Sequence, residues 1–255
     1  MTQSTWTPEK EEFLPTKAKL LEYYVRNAYA NSQLCINAFE RVARSIFIPA
    51  SQRAYAYSDR PLPIGFEQTI SAPHMAFMEC EALAIQPGES VLEIGSGSGY
   101  HASIVAEMCA PSTTAPPGWK AATRHYDDSI YENYPQRNGT VTTVERLEAL
   151  VRFAKRNIEH AGYKDRIEVI HADGTEGYET KAPYDKIMVT AAAPEIPMCL
   201  KKQLKIGGKL IIPVGARNFY QELLLLERVS ESGWASQVVG GVVFVPLIGK
   251  YGWKN

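Results

Sequence analysis

Residues 91–99 read Val-Leu-Glu-Ile-Gly-Ser-Gly-Ser-Gly, a short apolar strand running into three alternating glycines. A strand that breaks into a glycine-rich turn ahead of a helix brings backbone N–H groups close to a nucleotide-like ligand. The spacing narrows the choice of ligand. A dinucleotide site requires G-x-G-x-x-G, with the third glycine set for a pyrophosphate. Here Gly95, Gly97 and Gly99 alternate, and Glu93 stands two positions before the first.

The chain has 255 residues, enough to bury a full core. Its 27 Lys and Arg nearly balance 28 Asp and Glu. No global field would therefore draw in nucleic acid or an acidic membrane, and neither is expected as a partner. Cys35, Cys80, Cys109 and Cys199 are scattered without a C-x-x-C pair, as expected of reduced, mostly buried thiols. The five histidines lack metal spacing, and no metal is expected. The polar N-terminus does not read as a signal peptide, and no apolar run reaches membrane-spanning length. The expectation is a cytoplasmic monomer.

Helical periodicity runs from Lys17 to about Arg44. Leu20, Leu21, Tyr24, Val25 and Ala28 would line one face, followed by Leu34, Ala38, Val42 and Ile46. A loop from Pro49 to Pro63 follows. Pro73 then suits a helix first turn, with Ser71 as a candidate N-cap and Met75, Met78 and Leu83 facing inward. From Ser90 the pattern alternates strand and helix. Strands are expected at Val91–Ile94, Thr140–Val144, Ile167–Ile170, Lys186–Val189 and, after a Gly207-Gly208 turn, Lys209–Pro213. Helices are expected at Tyr100–Met108, through Leu147–Ile158, and near Pro197–Leu204. Such βα units imply an α/β fold, a Rossmann-like doubly wound and mostly parallel sheet. Glu222–Val229 and Gln237–Pro246 read as a hairpin that adds antiparallel C-terminal strands. The whole reads as one domain: an N-terminal helical and loop extension over 1–63, then a core over 64–255. Residues 110–139 are too long for an ordinary connection and read as a partly ordered surface insertion, with a short helix near Asp127–Asn133.

In an open parallel sheet the ligand crevice lies beyond the carboxyl ends of the strands. The first of these strands delivers Glu93 and the glycine loop. The second ends at Glu145, placed to accept hydrogen bonds from vicinal ribose hydroxyls. The third runs into His171-Ala172-Asp173-Gly174, where Asp173 could accept from an adenine amino group.

The compact acidic-x-G-x-G-x-G pattern resembles class I S-adenosylmethionine-dependent methyltransferases. Other stretches narrow the resemblance to the protein-L-isoaspartate O-methyltransferase family: Ile64-Gly65-Phe66-Glu67-Gln68-Thr69-Ile70-Ser71-Ala72-Pro73-His74-Met75 above all, then Ala191-Ala192-Ala193-Pro194, Ile212-Pro213-Val214-Gly215 and Phe244-Val245-Pro246-Leu247. The resemblance covers most of 61–250 apart from the insertion. Departures are the insertion itself, Ala76 where some members carry a histidine near the cofactor, and Glu67 where glycine or glutamine is common.

The resemblance implies methyl transfer from S-adenosyl-L-methionine to the α-carboxylate of L-isoaspartyl residues in damaged peptides and proteins, leaving S-adenosyl-L-homocysteine. It implies Ser71 as the active-site residue, with Thr69, Ile70, Ser71, Val214 and Gly215 meeting the substrate. Cofactor contacts are implied for Gln68, Thr69, Ser71, Glu93, Ile94, Gly95, Ser96, Gly97, Ser98, Gly99, Glu145, Arg146, Asp173 and Gly174. Glu93 would meet the methionine end. An extended peptide would run along Val214-Gly215, read through its main chain.

Overall fold

A computed structural model of the chain describes residues 6–112, 114–134, 138–217 and 219–254. Seven strands form the central sheet: β3 (Ser90–Ile94), β4 (Thr140–Glu145), β5 (Ile167–His171), β6 (Tyr184–Val189), β7 (Leu204–Gly215), β8 (Gln221–Arg228) and β9 (Trp234–Val242). Their order is β5-β4-β3-β6-β7-β8-β9. The pairs from β5 through β7 are parallel, whereas β8 pairs antiparallel with both β7 and β9. The chain winds outward from β3 through β4 to β5, then returns to β6 on the other side. That reversal opens a crevice beyond the carboxyl ends of β3 and β6.

Alternation along the strands divides the core between two faces. Val91 of β3 belongs to one buried cluster, together with Val141, Ile167 and Met188. Its neighbour Leu92 belongs to the other, with Val144, Ile187 and Leu210. The first face is covered by α3 (Pro73–Leu83), α4 (Tyr100–Cys109), α5 (Glu148–His160) and the N-terminal helices. Short α6 (Met198–Lys202) contributes Leu200 to the second. Residues 62–70 form a separate hairpin of β1 (Leu62–Gly65) and β2 (Gln68–Ile70).

Several expectations need correction. The continuous N-terminal helix is two helices, α1 (Leu14–Arg26) and α2 (Gln33–Arg41). Asn27 caps the end of the first, Ala28 takes a φ of 56°, and the Ser32 side chain accepts from Cys35 N to start the second. The loop expected over 49–63 holds a 3-10 helix, Ala50–Tyr55, and the first two residues of β1. Ser71 does not cap α3. Ala72 occupies that position, and Met75 and Met78 are only partly buried. Gly207 and Gly208 lie inside β7, which begins at Leu204 and shifts register against β6 there.

The insertion is better anchored than expected. Glu40 of α2 accepts from Ala122 N, Thr123 N and Thr123 Oγ1, and Asn37 Nδ2 donates to Asp127 O. Arg41 lies over the rings of Trp6 and Tyr131 and donates to the Tyr126 hydroxyl, to Ser112 O and to the buried Glu107 carboxylate. Burial works to raise the pKa of Glu107, but Arg166 and Arg41 hold it below the usual carboxylate range. Because α4 runs away from the crevice, this strap lies at the opposite rim of the sheet. Positions 113 and 135–137 of the insertion lie outside the described residues. Among the described residues, no helix is long and apolar enough to cross a membrane.

Candidate active site

The glycine loop leaves β3 and turns back under the hairpin. Gly95 takes a φ of 100°, and a Cβ there would fall 2.4 Å from Thr190 Oγ1. That hydroxyl, at the end of β6, donates to Ile94 O at 3.1 Å and Gly95 O at 2.9 Å, tying the two strand ends together. Any side chain at position 95 would break this tie. The loop is therefore shaped from within as well as by what it binds.

Beside it Glu145, at the end of β4, accepts from Gly97 N at 3.1 Å and Leu147 N at 2.9 Å. The carboxylate thus braces the loop while it stands on the wall of a cavity of about 660 Å³. Gln68, Thr69, Ile94, Gly95, Gly97, Arg146 and Gly174 share that wall, as do Phe66 and Glu67 at the hairpin tip. A polar pocket of about 40 Å³ continues from its floor, reached by Glu93, Ser96, Ser98, Ile70 and Ser71. On the other side of the hairpin lies a groove of about 570 Å³, between Pro61, His74 and Met75 on one bank and Tyr220 and Val243 on the other. Thr69 and Thr190 line all three spaces, and Ser71 lines both the pocket and the groove.

Glu93 is fully buried. Thr143 Oγ1 donates to its Oε2 and itself pairs with Ser96 Oγ at 2.6 Å. Burial raises the Glu93 carboxyl to about 8, although the Thr143 hydrogen bond acts against this. Among the described residues Oε1 has no partner.

Four expected residues stand elsewhere. Gly99 packs against Ile158 of α5. Asp173 lines none of the cavities; its carboxylate accepts from Thr175 N, Thr175 Oγ1 and Lys250 N. Val214 and Gly215 are paired along β7 with Glu222 and Gln221, and on the other edge Gly215 N donates to Ala193 O. These bonds hold both residues within the sheet, and neither lines the groove beside the hairpin. The sequence reading missed Thr190, Arg44, Glu79 and His101. Thr190 had a legible signal, since it immediately follows a strand at the switch point.

A doubly wound sheet with a cleft at its reversal, walled by alternating glycines and a carboxylate from the next strand, defines a Rossmann-like methyltransferase. The cleft has room for a nucleoside-bearing donor, and at its polar end one Glu93 oxygen has no partner among the described residues. The chain is similar to a Plasmodium falciparum structure described as a putative protein-L-isoaspartate O-methyltransferase in complex with S-adenosyl-L-homocysteine. That similarity has a TM-score of 0.71 at 26% identity, over 91% of this chain and 97% of that one.

A model of the protein-L-isoaspartate(D-aspartate) O-methyltransferase family matches residues 15–115 and 124–252, and the chain belongs to that family. The gap between the two matched segments falls within the insertion. The protein-L-isoaspartate O-methyltransferase of Hyperthermus butylicus is 45% identical over 98% of this chain and 95% of its own length. That of Methanothermobacter thermautotrophicus is 45% identical over 93% of this chain and 97% of its own.

Proposed function

We propose that the chain transfers a methyl group from S-adenosyl-L-methionine to the free α-carboxylate of L-isoaspartyl residues in damaged peptides and proteins. The observation that carries this reading is the junction at Thr69 and Thr190, where a nucleoside-sized cleft and a peptide-sized groove share a wall beside Ser71. Two substrates entering from opposite sides meet there.

In the cleft, Glu145 is placed for the ribose, Gly95 and Gly97 for the donor's spine, and Glu93 for its methionine end. Bound there, the donor supplies an electrophilic methyl carried on a positively charged sulfur. The acceptor needs no general base, because a carboxylate with a reference pKa of about 4 is already ionised at neutral pH. What the chain contributes is alignment and exclusion of water. Ser71 Oγ has no hydrogen-bond partner among the described residues and is free to donate to one carboxylate oxygen. Thr69 and Ile70 shape the space around it.

The groove between His74 and Tyr220 is the path for the peptide main chain. A normal aspartyl peptide would place an amide where Ser71 expects an anion, leaving polar groups mismatched. The product ester closes to a succinimide when the adjoining backbone nitrogen displaces methanol, and water then reopens the ring, partly to normal aspartate.

The test is methyl transfer to an isoaspartyl peptide and to its aspartyl twin. Transfer to the first alone is expected. Equal methylation of both, or of neither, overturns the reading.

A further inference from the structure

Beneath the glycine loop, α3, α4 and β3 bring together an unusual set of enclosed polar groups. Both oxygens of Glu79, Oε1 of Glu93, the Tyr100 hydroxyl and Nε2 of His101 are buried without a hydrogen-bond partner among the described residues. Such groups are costly to leave unmet, and their gathering in one place calls for a ligand or a function. They surround the 40 Å³ pocket that opens from the cleft floor, to which Glu93, Tyr100 and His101 contribute directly. Glu79 lies behind that wall, with Oε2 at 3.6 Å from His101 Nε2.

We propose that Glu79 is a positioning residue, acting through His101 to fix the amino-acid end of the methyl donor in this pocket. The inference rests on the donor site given under Proposed function. The pocket is too small for a nucleoside and too polar for an aliphatic chain, but it suits an ammonium or a carboxylate. A neutral imidazole has one nitrogen that donates and one that accepts, and the hydrogen bond made by one decides the role of the other. With Nε2–H directed at the Glu79 carboxyl, Nδ1 is the acceptor, which suits the donor's α-ammonium alongside Glu93 Oε1. At 3.6 Å the two atoms stand just beyond a hydrogen bond, a gap that the bound donor would close.

The charge states agree with this arrangement. Burial, with Arg44 nearby, lowers His101 to about 3, so the ring is neutral at physiological pH. Burial, reinforced by Glu93, raises the Glu79 carboxyl well above its usual range. Drawn within hydrogen-bonding distance, a Glu79 oxygen would accept from Nε2–H, a role that a glutamine side chain can also fill.

The experiment is calorimetric binding of S-adenosyl-L-homocysteine and of 5′-methylthioadenosine, which lacks the amino-acid end. Glu79→Met is expected to weaken the first about ten-fold, the cost of one hydrogen bond to a charged group, and to leave the second unchanged. Glu79→Gln should restore nearly all the affinity. His101→Phe should reproduce the loss, and adding Glu79→Met to it should cost nothing more. Equal weakening of both ligands, no weakening, or a Glu79→Gln variant no better than Glu79→Met overturns the proposal. If wild-type protein binds neither ligand, the donor site itself falls, which is a distinguishable failure. The His101→Phe comparison decides the matter should Glu79→Met not fold.

Discussion

The buried guanidinium of Arg44 donates through Nη2 to the main-chain carbonyl of Ser71 at 2.8 Å. Its Nε holds Ala56 O at the same distance, so one side chain pins the 3-10 segment and the Thr-Ile-Ser loop together. Arg44 leaves the Ser71 hydroxyl untouched and fixes only the backbone that carries it. The two residues are therefore separable. Ser71→Ala is expected to lower kcat about a hundred-fold while leaving S-adenosyl-L-homocysteine affinity within about two-fold, since it removes a hydrogen bond to the reacting carboxylate and no fold contact. Arg44→Met should lower the melting temperature as well, because two carbonyls lose their donor. Steady-state kinetics beside thermal melts check both, and a Ser71→Ala enzyme with undiminished kcat removes the role assigned to that hydroxyl.

Glu93 and His101 give the fold an opposed pair of pH dependences. Between 4.5 and about 8 the folded chain keeps a proton on Glu93 that the unfolded chain has released, so stability falls as pH rises. Between about 3 and 6.5 the unfolded chain protonates a histidine that the fold keeps neutral at position 101, so stability rises with pH. From 4.5 to 6.5 the two offset each other, and above 6.5 the Glu93 contribution continues after that of His101 has ended. Melting temperature is expected to decline from pH 6.5 to 8 in the native protein and to be flatter in Glu93→Gln. An equally steep decline in that variant would remove Glu93 as the cause.

The residues that announce themselves in the sequence are those whose backbone does the work. Gly95 must be glycine because of Thr190, and the strand before it must be apolar because both faces of β3 are covered. Glu145 was legible because a carboxylate at the end of the next strand has one place to go. At Asp173 the same logic leaves out Lys250, near the far end of the chain, whose main-chain N–H donates to the carboxylate and which spacing cannot reveal. Glu79 was illegible for a different reason. In Pro-His-Met-Ala-Phe-Met-Glu-Cys-Glu-Ala-Leu it looks no different from Glu81, which meets Asn31 N and Ser32 N at the surface end of α2. Only packing against α4 distinguishes them. Likewise Asn27 and Ser32 are ordinary capping residues that could have split the N-terminal helix, but the apolar stripe ran across them.

The hairpin tip over the cleft stores strain at Phe66 and Glu67, with φ of 53° and 58°. Neither is a residue that adopts the left-handed region without cost, which is on the order of 1–2 kcal/mol each. Glu67→Gly should relieve the strain at its own position and, after the extra entropy glycine loses on folding, stabilise the protein by about 0.5–1 kcal/mol. Chemical denaturation checks this. A destabilised Glu67→Gly would mean that the glutamate makes a contact strong enough to outweigh the backbone strain.

Glu40 tests whether the strap at the far rim serves the reaction. Its carboxylate holds three donors from Ala122 and Thr123 and nothing in the cleft. Glu40→Ala should therefore free the strap locally, seen as faster amide exchange at 120–126. The buried Arg41–Glu107–Arg166 cluster is separately bonded and should keep its protection. Because α4 separates the strap from the glycine loop by its full length, kcat and peptide KM are expected to stay within about two-fold of the native values. A large loss of activity with the fold intact would instead make the insertion part of the working enzyme, reaching the cleft through α2 and the Arg44 segment that follows it.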